Sequence, residues 1–90
     1  MKNTKDVVMT VTDAFHSDYQ GDCVSARILR GFIDLNATKP MIFLPSRLPC
    51  NVRAMRINDE KAMIGSVNMN VILTLNNPDM TSIGKGNLIV

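Results

Sequence analysis

The side chains of this sequence that could take part in acid–base chemistry are few and far apart. The single histidine, His16, lies in a polar segment with no assignable acid or nucleophile, and general acid–base catalysis needs such partners within hydrogen-bond reach. Asp59 and Glu60 are adjacent, so they would point to opposite faces of a strand or toward solvent on a turn. Both sites are therefore better explained as solvated positions than as catalytic ones.

Nucleotide and metal chemistry also lack their usual sequence signatures. The segment SIGKGN contains Gly84-Lys85-Gly86, but a phosphate-binding loop has four residues between its first glycine and a Gly-Lys-Ser/Thr sequence. Cys23 and Cys50 are widely separated and match no metal spacing, which favours buried thiols over a disulfide or a ligand pair. The sequence predicts no catalytic residues, no metal site and no cofactor in this chain, so the chain itself is not an enzyme.

Composition limits the size and the class of the protein. The chain has 90 residues, 46% of them hydrophobic and 20% charged, with a net charge of +2, which predicts one small domain over residues 1–90. No apolar run approaches the roughly 18 residues of a membrane-spanning helix, and the start MKNTKD shows no secretory signal. We expect a cytoplasmic protein without membrane contact, and the charge alone does not indicate a nucleic-acid partner.

Short alternating segments dominate the chain. In the first segment Val7, Met9, Val11 and Phe15 would share one face, which is the two-residue repeat of a half-buried strand. We predict strands at 7–15, 22–29, 41–44, 51–57, 70–75 and 88–90, with loops or turns at 16–22 and 58–61. No stretch of ten residues has a helical period. The pattern predicts an all-β fold, a small closed antiparallel barrel of six to seven strands.

A corner is predicted where Arg30-Gly31 interrupts the apolar run ARILRGFIDLN. Glycine accepts backbone dihedrals that a β-carbon forbids, so the chain can turn sharply there before Phe32 and Ile33 resume core contact. The chain also ends on the apolar run Leu88-Ile89-Val90, from which we expect a strand and a domain excised from a larger protein.

The basic residues have two interpretations, of which one is nucleic-acid binding. Arg27, Arg53 and Arg56, with Tyr19 as an aromatic neighbour, could grip single-stranded RNA on a free-standing barrel of the oligonucleotide-binding type. Alternatively, they are scattered solvated charges. The second interpretation is favoured by the spacing of Arg53 and Arg56, which lie three apart on a strand and are predicted to point to opposite faces.

Several segments, taken in order, resemble the second, β-barrel domain of the translational GTPases. They are VTDAF (11–15), CVSARILRGFIDLN (23–36), IFLPS (42–46), CNVRAMRINDE (50–60), NVILTL (70–75) and IGKGNLIV (83–90). LPS, INDE and LTL are most similar to the eukaryotic branch, which holds elongation factor 1-alpha, the release-factor GTPase and the Pelota-partnering ribosome-rescue GTPase. The resemblance implies one barrel domain from a multidomain GTPase.

The resemblance implies binding rather than catalysis. A pocket for the tRNA end or a protein partner would be lined by Asp13, Phe15, Ser25 and Asn70, and Arg27, Arg53 and Arg56 could contact RNA. Implied partners are the protein's own GTP-binding domain and third domain, small-subunit ribosomal RNA, and a tRNA or tRNA-mimicking protein. GTP and Mg²⁺ would bind elsewhere in the parent protein. Two positions are possible for Phe15. The resemblance places it at the mouth of the barrel, whereas its phase with Val7, Met9 and Val11 places it in the core.

One departure from the family pattern bears on the subfamily. The turn before Asn70 usually reads Gly-Asp, and here it is Asn68-Met69. Asn68 can still adopt a left-handed backbone, but Met69 removes the acid. This favours a divergent elongation factor 1-alpha-like member of the rescue or termination type.

Overall fold

The computed structural model describes residues 7–36, 41–76 and 78–90, and their regular structure is almost entirely strand. The strands are β1 (Val8–Ser17), β2 (Gly21–Arg30), β3 (Phe32–Asp34), β4 (Met41–Leu44), β5 (Pro49–Cys50), β6 (Val52–Ile57), β7 (Glu60–Ala62), β8 (Ile64–Ser66), β9 (Asn70–Leu75) and β10 (Leu88–Ile89). A single 3-10 turn, Met80–Ser82, completes the described elements. The all-β prediction is confirmed.

The strands form two antiparallel sheets. The large sheet has the order β5-β4-β10-β1-β2-β9-β6-β7, and the small sheet pairs β3 with β8. The last strand lies between the first strand and β4, with Met9 opposite Ile89 and Leu88 opposite Leu44. Pairing the two ends of the domain in one sheet covers edges that would otherwise be free to aggregate.

At two of its crossings between the sheets the chain bends at a single residue. Gly31, with φ of 74°, separates β2 from β3, which confirms the predicted corner. Met63 separates β7 from β8. The ladders within the described ranges thus make two sheets linked by bent strands rather than one closed ring, so the predicted closed barrel is confirmed only as an all-β antiparallel fold. Strand hydrogen bonding is interrupted at each bend, and this also yields more, shorter strands than the six to seven predicted.

The core lies on one side of the large sheet and under the small one. Its fully buried side chains include Met9, Ile28, Ile33, Phe43, Met55, Leu73 and Ile89, each at most 1% exposed. These residues come from seven different strands, so segments from the whole length of the described chain contribute to the core. At roughly 1.5–3 kcal/mol for each buried large aliphatic or aromatic side chain, this cluster is the main source of stability.

A β-bulge in β1 changes the direction of side chains that the alternation had predicted. The β1–β2 register shifts between Val11 and Asp13, so Thr12 is an extra residue and the phase of the strand reverses. Ala14 now packs against the core, whereas Phe15 moves to the other face, half-buried. The prediction that Phe15 shares the face of Val7, Met9 and Val11 is therefore wrong, because a bulge shifts every later side chain by one position.

Two turns are tighter than predicted. Residues 16–22 are not a loop: β1 runs to Ser17, β2 starts at Gly21, and Ser17 pairs with Gly21, leaving only Asp18–Gln20 as the turn. The next hairpin turns at Asn58 and Asp59, whose φ angles are 54° and 65°. Two consecutive positive φ values match the twist of hairpin strands. Asn68, at φ 72°, confirms the left-handed turn expected before β9.

Within the described residues, no helix has the length and apolarity needed to cross a membrane.

Candidate binding face

The strand registers show which side chains lie on the face of the large sheet opposite the core, here called the outer face. Asp13 pairs with Ser25, Ser25 with Ile72, and Ile72 with Arg56. Arg56 in turn pairs with Lys61 on β7. Directly paired residues in a sheet point to the same side, so this row crosses five strands with Asp13 and Ser25 at one end, Arg56 and Lys61 at the other, and the apolar Ile72 between them.

The four residues predicted to line a partner pocket all lie on the outer face. Phe15 is two residues beyond Asp13 on β1 and pairs with Cys23, which is two residues before Ser25. Asn70 is two residues before Ile72 on β9 and pairs with Arg27. Asp13 and Asn70 are exposed, and Phe15 and Ser25 are half-buried. The structure thus brings Asp13, Phe15 and Ser25 together and places Asn70 one strand away.

A cleft of about 280 Å³ opens on the same face beside this group. It is lined by Tyr19, Gln20, Arg53, Ala54, Arg56, Lys61 and Thr74. Nη2 of Arg53 donates to the carbonyl oxygen of Gln20 at 3.2 Å. Nη2 of Arg56 donates to the carbonyl oxygen of Asp59 at 2.9 Å. Both guanidinium groups are therefore held at the cleft by backbone carbonyls and keep further donors for a ligand.

Arg53 reaches this cleft because β6 has a bulge. The register passes from Val52 opposite Leu75 to Ala54 opposite Thr74, which makes Arg53 the extra residue. The prediction that Arg53 and Arg56 point to opposite faces is wrong for this reason. Bulges commonly re-aim a side chain in this way, and nothing in the alternation of residues 52–57 indicated one.

The cations of the outer face have no carboxylate partners in the described part of the chain. None of Arg27, Arg53, Arg56 and Lys61 forms an ion pair there. Arg27 donates to Oδ1 of Asn68 at 3.4 Å and lies two strands from Arg56, outside the cleft. Two of the three predicted arginines, Arg53 and Arg56, are thus brought together, and Lys61, which no sequence pattern indicated, lies beside them.

His16 is tied to neighbouring acids rather than to the cleft. Its Nδ1 lies 3.0 Å from Oδ1 of Asp22, and its Nε2 lies 3.9 Å from Oδ1 of Asp18. All three residues are at the solvent-exposed end of the hairpin, with the Asp18 side chain fully exposed. No group of three or more metal-ligating side chains occurs in the described ranges.

The two cysteines are free, buried thiols, as predicted. Sγ of Cys23 lies under the cleft floor, 3.8 Å from Oγ1 of Thr74 and 3.7 Å from Oε1 of Gln20. Burial raises the pKa of the Cys50 thiol to about 12, because a thiolate is poorly solvated among core side chains. Cys50 is therefore unreactive near neutral pH.

An exposed apolar patch lies around the small sheet, and one of its members, Met63, also lines a second cleft with Arg53 and Lys61. Its members are between 41% and 60% exposed: Leu29, Met63, Ile64, Val67 and Met69. Sδ of Met69 accepts from the Ser66 N–H at 3.4 Å, and Ile64 is on the same side of β8 as Ser66. Asn68 N–H donates to the Ile28 carbonyl oxygen at 2.8 Å, which brings the turn at Val67 next to Leu29. Contiguous exposed apolar surface of this kind often marks an interaction site.

Solved structures of translation elongation factors match the chain in fold over nearly its whole length. The bacterial selenocysteine-specific elongation factor EF-Sec matches with a TM-score of 0.82 at 18% identity, covering 94% of this chain and 14% of that chain. The chain has the fold of a translation-elongation-factor β domain. Translation elongation factor SelB from Methanococcus maripaludis, in its apo form, matches this β domain with a TM-score of 0.81 at 21% identity, covering 99% of this chain and 19% of that chain.

The resemblance found in the sequence to a domain of the translational GTPases is confirmed at the level of the fold. The β domain spans less than a fifth of each of these two elongation factors. No protein-family model and no curated protein sequence matches the chain.

Proposed function

We propose that this chain is an accessory binding domain of a translational GTPase, of a divergent elongation factor 1-alpha-like, ribosome-rescue or termination type. It contacts the end of a tRNA, or a protein that mimics tRNA, through its outer face. The observation that supports this most is the register that places Asp13, Phe15 and Ser25 side by side on a solvent-facing sheet, next to the cleft of Arg53 and Arg56.

The residue types suit the end of a nucleic-acid chain. Phe15, displayed by the β1 bulge, offers an aromatic surface for a terminal base or an attached side chain. Ser25 and Asn70 can each donate and accept hydrogen bonds. Arg53, Arg56 and Lys61 supply positive charge for the phosphates that precede that end, and phosphate contacts of this kind position a ligand without reading its sequence.

The apolar patch is the proposed docking surface for the GTP-binding domain of the same polypeptide. Arg27 lies at its rim, where Nη2 donates to Oδ1 of Asn68 at 3.4 Å, and it forms no ion pair among residues 7–36, 41–76 and 78–90. A partner with an apolar centre and a carboxylate at its edge would bury the patch and pair with Arg27. Contacts with a third domain and with small-subunit ribosomal RNA complete the proposed set of partners.

Under this proposal, GTP is bound and hydrolysed by another part of the parent protein. GTP and Mg²⁺ bind in the GTP-binding domain, and the β domain has no catalytic step of its own. The proposed location is the cytoplasm, where tRNA and ribosomes are found.

A second function is favoured by one specific observation. Tyr19, which is 99% exposed, lines the same cleft as Arg53, Arg56 and Lys61, and an exposed aromatic beside unpaired cations is typical of single-stranded RNA binding. In this alternative the domain is a free-standing barrel of the oligonucleotide-binding type that grips RNA by itself.

Affinity and its salt dependence separate the two functions. The probe is an RNA hairpin with a single-stranded 3′ end, and binding is measured by fluorescence anisotropy between 50 and 200 mM salt. A free-standing binder that neutralises four phosphates of a single strand should bind tightly and lose roughly fiftyfold in affinity over this range, whereas an accessory domain alone should bind weakly at both salt concentrations. Arg30→Gln is the matched control, since Arg30 lies outside the cleft, and Arg53→Gln tests the cleft itself.

Each result of this titration decides between the candidates. Tight, steeply salt-dependent binding that Arg53→Gln weakens and Arg30→Gln does not would establish the free-standing binder. Weak binding that Arg53→Gln weakens further supports the accessory domain. Binding that is equally sensitive to both substitutions would contradict both, because it would show that general charge, and not the cleft, holds the RNA.

A further inference from the structure

Tyr19 occupies an unusual position for the only tyrosine of the chain. It lies at the tip of the β1–β2 hairpin and is 99% exposed, yet its hydroxyl has no hydrogen-bond partner in the part of the chain that the structure describes. The tip around it is fixed: Oγ of Ser17 accepts from the backbone N–H of Tyr19 and of Gln20, each at 3.2 Å. A rigid backbone therefore presents a free phenol to solvent.

The basic cleft is within reach of that phenol. Arg53 donates from Nη2 to the carbonyl oxygen of Gln20, the residue next to Tyr19, at 3.2 Å. Tyr19, Arg53, Arg56 and Lys61 all line one cleft. Because Tyr19 already lines the cleft, a group attached to its Oη would lie close to these cations.

We propose that Tyr19 is a phosphorylation site and that the phosphotyrosine folds into its own cleft and occupies it. A phosphoryl group adds a charge of about −1.5 to −2 and three strong acceptor oxygens. Arginine guanidinium groups bind phosphate bidentately, and Arg53 and Arg56 have no competing carboxylate in the described ranges. The modified side chain would therefore exclude an external phosphate from the same cations. Its effect on RNA rests on the proposed function, but the phosphate–arginine contact does not.

The modification step is an ordinary phosphoryl transfer. A tyrosine kinase transfers the γ-phosphoryl group of ATP to Oη of Tyr19: the Oη–P bond forms, the bond from the γ-phosphorus to its bridging oxygen breaks, ADP leaves, and the phenol proton passes to the kinase's base. Asp18, whose side chain is fully exposed, and Asp22 flank Tyr19 in the sequence and give the segment the acidic character that a kinase preferring acidic substrates recognises. Tyr19 is the only tyrosine that the kinase could modify.

The first test asks whether the folded chain accepts the modification. The native 90-residue chain is incubated with a purified tyrosine kinase that prefers acidic substrates and with ATP, alongside a peptide of residues 14–24 as an unfolded substrate. We expect one phosphate per chain, absent in Tyr19→Phe. Phosphorylation of the peptide but not of the folded chain would overturn the proposal.

The second test asks whether the phosphate enters the cleft, and it needs no RNA. The second pKa of phosphotyrosine at residue 19 is measured by ³¹P NMR in the folded chain and in the same chain in urea. Pairing with arginine favours the dianion, so folding should lower this pKa by about half a unit or more. The double variant Arg53→Gln/Arg56→Gln should remove the shift, and Arg30→Gln should leave it. Equal values in folded and unfolded chain would overturn the proposal.

The RNA titration then separates this proposal from the proposed function. If the ³¹P shift is present and phosphorylation weakens binding of the RNA hairpin at least tenfold, both stand. If the shift is present but the unmodified chain shows no cleft-dependent RNA binding, the phosphotyrosine contact stands and the proposed function fails.

Discussion

At the scale of single residues, the outer face depends on side chains that a regular strand would have pointed elsewhere. Thr12 and Arg53 are the extra residues of two bulges. The first turns Phe15 out of the core phase, and the second brings Arg53 beside Arg56. Because a bulge leaves its extra residue unpaired and twists the strand locally, one inserted residue decides whether an aromatic ring packs inside or faces a ligand.

Gly65 shows how tightly the core limits the small sheet. A β-carbon at this position would lie 3.1 Å from Cδ1 of Ile28 and 3.4 Å from Cγ2 of Ile33. Gly65→Ala should therefore lower the free energy of unfolding by about 1–3 kcal/mol through overpacking. Gly84→Ala is the control, since no atom lies within 4 Å of its added β-carbon. Urea unfolding measures both, and equal stability of the two variants would contradict the tight packing at Gly65.

The Cys50 thiol gives stability a specific dependence on alkaline pH. Burial raises its pKa from 9.0 to about 12, so between these values the unfolded chain loses the proton and the folded chain keeps it. The unfolded state then binds fewer protons, and stability falls as pH rises through this window, by up to about 1.4 kcal/mol per pH unit. Below pH 9 the contribution is constant.

The difference between wild type and Cys50→Ala isolates this effect from other groups that titrate in the same range. Unfolding free energies at pH 8, 9, 10 and 11 should fall more steeply for wild type than for the variant. Parallel curves would show that the Cys50 thiol ionises as readily in the folded chain as in the unfolded one.

At the scale of elements, the β6–β7 hairpin depends on two residues in an unfavourable backbone region. Asn58 and Asp59 have φ angles of 54° and 65°, and an aspartate there is less favoured than glycine. Asp59→Gly should raise the free energy of unfolding by up to about 1 kcal/mol, while Asp59→Ala should lower it, because alanine has no local polar group to offset the strain. Thermal and urea unfolding test the pair. If both substitutions shift stability in the same direction, backbone strain is not what limits this turn.

The strands were predictable where apolar and polar residues alternate without interruption. Residues 41–44 and 70–75 were predicted as strands and form β4 and β9, and the corner at Gly31 follows from glycine alone. The short strands β3, β5, β7 and β8 have two or three residues each, too few for a period to show. They exist because pairing with neighbours satisfies their backbone groups, which local sequence does not report.

The sequence predicted some residues of the candidate site but not how they are arranged. The sequence indicated Asp13, Phe15, Ser25 and Asn70 through family resemblance, and the registers place them on one face. Lys61 and the pairing of Arg53 with Arg56 in one cleft depend on a bulge and on β7, and no spacing in the sequence reveals either. To predict the bulge in β6, one would have to know which residue of β9 lies opposite Val52.

At the scale of the whole molecule, the domain has a buried core and two exposed surfaces of different chemistry. One side of the large sheet packs on the core, and the other side is the outer face, which carries the basic cleft. The apolar patch lies around the small sheet at Ile64 and Met69. Two chemically different exposed surfaces suit a domain that holds one partner through charge and another through apolar contact. In the proposed function these are an RNA end or its protein mimic, and a GTP-binding domain.

Under the proposed function, docking at the apolar patch can be tested in a polypeptide that also carries the GTP-binding domain. Ile64→Ser with Met69→Ser should loosen contact between the two domains without unfolding the β domain, because both side chains are already exposed. Limited proteolysis between the domains should accelerate in this variant. Ile42→Ser is the control, since Ile42 is also exposed and lies on β4 outside the patch, and faster cleavage in both variants would indicate general destabilisation instead.

The most direct test of the account is to map where RNA touches the domain. The ¹⁵N-labelled chain is titrated with the RNA hairpin that has a single-stranded 3′ end, and amide shifts are followed by NMR at low salt. We predict that the shifts concentrate on the outer face, at Asp13, Phe15, Ser25, Asn70 and the cleft around Arg53 and Arg56. Shifts confined to the apolar patch, or spread evenly over all exposed basic residues, would contradict the assignment of the outer face as the binding surface.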